Sequence, residues 1–132
     1  MAFQFRKTFP LQVGKDTRPV KAPDYFGFIH ELPCIITKST PIEAAHVNYP
    51  NKAAGAFGRG LSGKASDRWC LPLSPAMHRA QHDMNEKRFW EIHNIDPHFA
   101  CLVLWGLYCE RGYNAVAIAQ SLICEDRFLL PS

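Results

Sequence analysis

The stretch Leu71-Pro-Leu-Ser-Pro-Ala-Met-His-Arg-Ala-Gln-His82 constrains the fold most. A short apolar run meets a Ser-Pro start signal. Ser74 is placed to cap a helix, and Pro75 suits the first helical position, where no backbone N–H is needed. The predicted helix runs from Pro75 to about Asn85. His78 and His82 then fall one turn apart on one face. Two neutral imidazoles at that spacing can share a divalent metal. The same spacing also arises on solvated helix faces, so the pair alone leaves both readings open.

The 132 residues are 47% hydrophobic and 20% charged, which suits one compact domain with a core of its own. The ten prolines and eight glycines sit mostly in the first 75 residues, so the front is expected to be loop-rich and the back helical. The net charge of +3 is unevenly spread. Residues 1–22 carry Arg6, Lys7, Lys15, Arg18 and Lys21 against Asp16 alone, and residues 48–69 carry Lys52, Arg59, Lys64 and Arg68 against Asp67 alone. Two basic segments with glycine and proline suit a polyanion such as nucleic acid, although solvated loops have the same composition. Five cysteines, an odd number with no Cys-x-x-Cys pair, point to free thiols in a reducing compartment. No secretory signal and no membrane-length apolar run is evident, so a cytoplasmic protein without a membrane partner is expected.

In chain order, residues 1–22 read as a basic extended arm. A short helix is expected over Tyr25–Glu31, ended by Pro33. Cys34–Thr37 and Ile42–Val47 read as the strands of a β-hairpin, with His46 near the end of the second. Residues 48–68 form a glycine-rich cationic loop, a length that is unusual unless functional. It lacks the spacing of a P-loop. Trp69–Leu73 returns as a short strand or an extended lead into the helix. Residues 86–93, with Phe89, Trp90 and Ile92, continue that helix or form a second one. Asp96-Pro97 opens an apolar helix from His98 to Glu110, and Asn114 starts a last one. These back helices read as scaffold without a cofactor motif, and His93 and His98 as ordinary polar positions.

The words "LPCIIT", "AAHV" and "GRGLSGKASDRWCLPLSPAMHRAQHD", led by "PDYFGFIHELPC", resemble the HNH endonuclease superfamily over roughly residues 20–92. They are most similar to phage and prophage members related to the recombination-enhancement nuclease. The resemblance implies an α+β fold: a ββα-metal core with a long basic loop and additional C-terminal helices. The expected organisation is an arm at 1–22, a nuclease core at 23–95 and a helical extension at 96–132 packed on that core as one domain. The implied activity is metal-dependent hydrolysis or nicking of DNA, with Mg²⁺ or Mn²⁺ as cofactor and Zn²⁺ as the alternative. DNA would be the partner, with a recombination or repair protein recruiting the chain.

By the same resemblance His46 takes the place of the general base, a task that imidazole suits because it titrates near neutrality when free. His78 and His82 take the metal-ligand positions. Arg59, Lys64 and Arg68 would hold phosphates. Asp67 would tether the loop, orient His46 or reach the metal. Two departures from the family pattern stand out. Ala45 occupies a place where many relatives carry a further metal ligand. The metal is then held by His78 and His82 with waters and substrate phosphate, which suits Mg²⁺, or His46 is itself the third ligand of a site better suited to Zn²⁺, or the site has decayed into a DNA-binding accessory fold without cleavage. Thr37, Ser74 and Met77 stand where a structural zinc knuckle would have cysteines, so Cys34 and Cys70 are expected to be core thiols.

Overall fold

A computed structural model describes residues 23–57, 66–111 and 114–131 of the chain. The expected basic arm at 1–22, and Arg59 and Lys64 of the loop, lie outside the described residues. The fold is α+β, and its elements follow in the order α1 (Pro23–His30), β1 (Glu43–His46), a 3₁₀ turn (Lys52–Ala54), β2 (Cys70–Leu73), α2 (Pro75–Asp83), α3 (Glu86–Ile92), α4 (Pro97–Arg111) and α5 (Ala115–Cys124). The two strands pair antiparallel, from Glu43 opposite Leu73 to His46 opposite Cys70.

The hairpin expected between residues 34–37 and 42–47 does not form. The first segment looks β-prone through Ile35 and Ile36, but its polar groups are satisfied locally. Lys38 donates its N–H to the Cys34 carbonyl at 2.8 Å, and Cys34 donates to Ser39 at 2.9 Å. Lys38 sits at φ 61°, so the chain reverses instead of extending. The turn still meets the sheet, because Ile35 donates its N–H to the Pro72 carbonyl at 3.0 Å. The second segment does become a strand, and its partner comes from the far side of the long loop. Cys70–Leu73 is buried along its whole length, as befits an apolar run with no polar face to offer solvent.

The helices start where short polar side chains accept the orphan N–H groups of a first turn. Ser74 accepts from Met77 at 3.2 Å at the start of α2. Asn85 accepts from Arg88 at 3.0 Å and makes α3 a separate helix. Asp96 accepts from His98 and Phe99, each at 3.1 Å, at the start of α4. Each cap contributes about 1 kcal/mol. The loop after β1 carries a 3₁₀ turn. Asn51 caps the 3₁₀ turn by accepting from Ala54, and Gly55 closes it at φ 87°, a conformation that favours glycine.

One core joins front and back. Tyr25 and Ile29 of α1, Leu71 and Leu73 of β2, Phe89 and Trp90 of α3, Leu104 of α4 and Ile123 of α5 belong to one buried cluster. The helix α4 packs against α1, β2 and α5. The Cys101 thiol donates to the Cys70 carbonyl across 3.7 Å, tying α4 to the sheet. Cys34, Cys70 and Cys101 are all buried free thiols, as expected of the first two. Among the described residues no helix is long and apolar enough to cross a membrane.

Burial pushes the thiols of Cys70 and Cys101 well above their ordinary value of 9.0, and the Tyr25 hydroxyl above 10.0. A folded pKa raised above the unfolded one favours the protonated native state. The contribution is complete below pH 9 and is lost as the unfolded chain ionises at higher pH. Stability is therefore expected to fall progressively above pH 9. Urea midpoints measured between pH 8 and 11 check this, and the slope should flatten in Cys70→Ala.

Candidate active site

The site begins with the register of the sheet. Side chains alternate along a strand, so Ala45 and His46 point to opposite faces. Ala45 is 0% exposed and packs in the core, while His46 stays partly open. His46 meets two groups. Its ring stands edge-on to Phe26 of α1 at 6.1 Å, and its Nε2 lies 3.1 Å from a carboxylate oxygen of Asp67. An ionised carboxylate can only accept, so Nε2 is the protonated nitrogen of that pair. The Nδ1 atom then keeps its lone pair for a proton from elsewhere. Of the roles open to Asp67, the geometry places it beside His46 as the group that fixes the tautomer.

The second part of the site lies on α2. The register sets Glu43 opposite Leu73, at the end of β2 that leads into α2. Its carboxylate accepts from Nδ1 of His78 at 2.8 Å. That bond fixes the other nitrogen of His78 as an acceptor. The Nε2 atoms of His78 and His82 lie 3.2 Å apart. Nitrogens bound at about 2.0–2.1 Å to a tetrahedral ion are separated by about 3.3 Å. The pair is thus spaced either for a shared cation or for a hydrogen bond from His82 to His78. A carboxylate behind a ligating imidazole is the usual second layer of a metal site.

The two parts do not merge. Among the described residues, no three His, Cys, Asp or Glu side chains converge in a way that holds a metal ion. His78 and His82 form a pair with Glu43 behind it, and His46 pairs with Asp67. The three-histidine arrangement is therefore absent among the described residues.

Arg68 was expected to face a phosphate from the loop. Its side chain is instead only 6% exposed, with its guanidinium 6.0 Å from the centre of the Trp105 ring of α4. The neighbouring Trp69 and Cys70 are drawn into the core, and Arg68 is carried in with them. Arg59 and Lys64 fall outside the described residues.

Cys34 lies against the start of α2. Burial pushes its thiol up, but hydrogen bonds from Thr37, Ser74 and Ile36 outweigh this and hold it below its ordinary value. His98 reads from the sequence as an ordinary polar position, but the structure buries it in the core. It donates Nε2–H to the Tyr49 carbonyl at 2.9 Å and packs edge-on to Tyr49 and Trp69. A cleft of about 360 Å³ lined by Tyr49, Lys87, Glu91, Asp96 and His98 is separate from the site, and none of His46, His78 and His82 borders it.

Three site residues escape a reading of the sequence: Glu43, Gln81 and Glu86. Glu43 stands 35 positions before His78, and nothing in local spacing pairs them. Only the β1–β2 register does. Gln81 reads as one more polar residue of an exposed helix, yet it is 3% exposed. Glu86 reads as an ordinary acidic first-turn residue of α3.

Comparisons of the chain with protein-family models, with curated proteins and with solved structures find no match.

The position of Arg68 yields a prediction. Arg68→Ala is expected to lower folding stability by about 2 kcal/mol, through the loss of a desolvated cation–aromatic contact and of the packing of its stem. The salt dependence of any DNA binding should stay unchanged, because a buried cation releases no counterion from DNA. Urea denaturation and a salt titration of DNA affinity check the two halves.

Proposed function

We propose that this chain is a metal-dependent DNA endonuclease or nickase of HNH type. The observation that carries this reading is the Glu43–His78–His82 line, in which a carboxylate orients one imidazole and the two Nε2 atoms lie 3.2 Å apart. The order strand, strand, helix, with His46 on the first strand and the pair on the helix, supports the ββα-metal reading.

His78 and His82 fit a divalent ion as a two-nitrogen donor set. Water and phosphate oxygens would complete the coordination. Imidazole donors favour a transition ion such as Zn²⁺ or Mn²⁺ over Mg²⁺, which prefers oxygen. When bound, the ion supplies Lewis-acid stabilisation of charge on the phosphate and the departing sugar oxygen. The remaining chemistry belongs to the chain. His46 Nδ1 takes a proton from the water that attacks phosphorus, and Asp67 stabilises the resulting imidazolium through Nε2–H. Glu43 keeps His78 in the tautomer that leaves Nε2 free. The expected partner is DNA, held in part by Arg59 and Lys64.

A second reading is a DNA-binding accessory protein without cleavage. Ala45 favours it, because the position before His46 faces the core and has no ligand to give.

Supercoiled plasmid incubated with Mn²⁺, Zn²⁺ or Mg²⁺ separates the two. Wild type is expected to nick, with at least one transition ion outperforming Mg²⁺. His46→Ala should lose about 10²-fold or more in rate, and His78→Ala should lose metal-stimulated activity. Equal cleavage in all three proteins would overturn the nuclease reading. Salt-sensitive DNA binding that survives a chelator and His78→Ala, with no cutting, would establish the second.

A further inference from the structure

The helix that carries the histidine pair also holds the strand that carries His46, through groups on a different part of its surface. Gln81 lies between His78 and His82 in sequence and is buried. Its amide nitrogen donates to the His46 carbonyl at 3.1 Å and to Glu86 Oε2 at 2.8 Å. Glu86, at the start of α3, also accepts the backbone N–H of Asn48, at 3.1 and 3.2 Å to its two oxygens. The Trp90 indole donates to the same carboxylate at 3.4 Å. Asn48 closes the ring by donating its side-chain amide to the His46 carbonyl at 3.3 Å. His46 is thus clamped by a cycle through Gln81, Glu86 and Asn48.

Packing alone does not account for this cycle. The Gln81 Oε1 atom is buried without a partner among the described residues. A leucine or methionine would fill the same space with no orphaned acceptor. A buried amide with one atom unpaired calls for an explanation, and its other atom supplies one. Here that atom joins the end of β1 to α2 and α3.

We infer that Gln81 and Glu86 are positioning residues that set His46 against the histidine pair, coupling the base to the helix that binds metal. The functional part of this inference rests on the reading of His46 as the base. The clamp itself does not, since the hydrogen bonds exist whatever the chemistry. Gln81 reaches the backbone of residue 46 and Glu86 that of residue 48, so loss of either displaces the His46 ring from Asp67 while leaving His78 and His82 on an intact helix.

The test uses the full chain with Gln81→Met and, as a second variant, Glu86→Gln. Long-range ¹H–¹⁵N spectra report the tautomer of each histidine without any need for activity. In wild type His46 should be a single Nε2–H tautomer. Both variants should shift the His46 ring nitrogens and mix its tautomers, while His78 and His82 signals and Co²⁺ affinity stay within twofold of wild type. In cleavage assays kcat should fall about tenfold or more, with KM for plasmid unchanged. Unchanged His46 nitrogens in the folded variants would overturn the inference, even if their melting temperatures fell. Should one variant fail to fold, the other decides by the same spectra. Should wild type fail to cut DNA with every ion, the nuclease reading falls, and the His46 spectra still decide whether the clamp exists.

Discussion

The pairing of β1 with β2 is the interaction on which the molecule depends. It brings together residues from either side of a long connection and fixes which way each of them points. Along β1 the register puts Ala45 inside and His46 outside. A slip of one residue would exchange them, burying an imidazole and exposing a core position. The same pairing sets Glu43 where α2 departs from the sheet, and so places a carboxylate behind His78. The cap at Ser74 then starts α2 directly after β2, which leaves little freedom in how its face meets β1.

The register also accounts for the absence of a ligand at residue 45. A side chain there is enclosed by the core, where an unpaired polar group is costly. An acidic residue does reach the α2 histidines, but from position 43, and it touches the far nitrogen of His78. The site is therefore arranged as two carboxylate–imidazole pairs. In each, the acid selects which ring nitrogen carries the proton and leaves the opposite one as an acceptor. Such pairs hold one tautomer ready without reorganisation, which is the property that acid–base and ligand chemistry both need.

Much of the back of the fold was legible in the sequence, because its signals are local. Ser74-Pro75 and Asp96-Pro97 mark helix starts by the chemistry of the first turn, and the structure places helices after each, whereas the start at Asn85 decides between a continuation and a separate helix that the sequence left open. His98 reads as an ordinary polar position, yet at the start of α4 it turns into the core and bonds the Tyr49 carbonyl. The front was misread where non-local contacts prevail. Ile35 and Ile36 suggest a strand, but the Cys34 carbonyl and Sγ capture the N–H groups that a strand would need. The true partner of β1 lies beyond the loop, and no spacing rule identifies it. Arg68 reads as one more cation of a basic loop, and only the packing of Trp69 and Trp105 reveals that it turns inward. The candidate site follows the same division. The histidine pair of α2 came from helical periodicity, whereas Glu43, Gln81 and Glu86 depend on which segments become neighbours.

The connection between the strands, residues 47–69, has a further consequence for the history of such a chain. The entropy lost on closing a flexible loop grows only with the logarithm of its length, about 0.6 kcal/mol for each doubling. Both ends of this connection are secured: at Asn48 by the Glu86 carboxylate and at Trp69 by the carbonyl that accepts from Val47. Insertions or deletions between the buried Ala56 and Ser66, whose carbonyl accepts from Trp69, leave the register, and with it both carboxylate–imidazole pairs, in place. That part of the connection can thus diverge in length and charge without disturbing either pair.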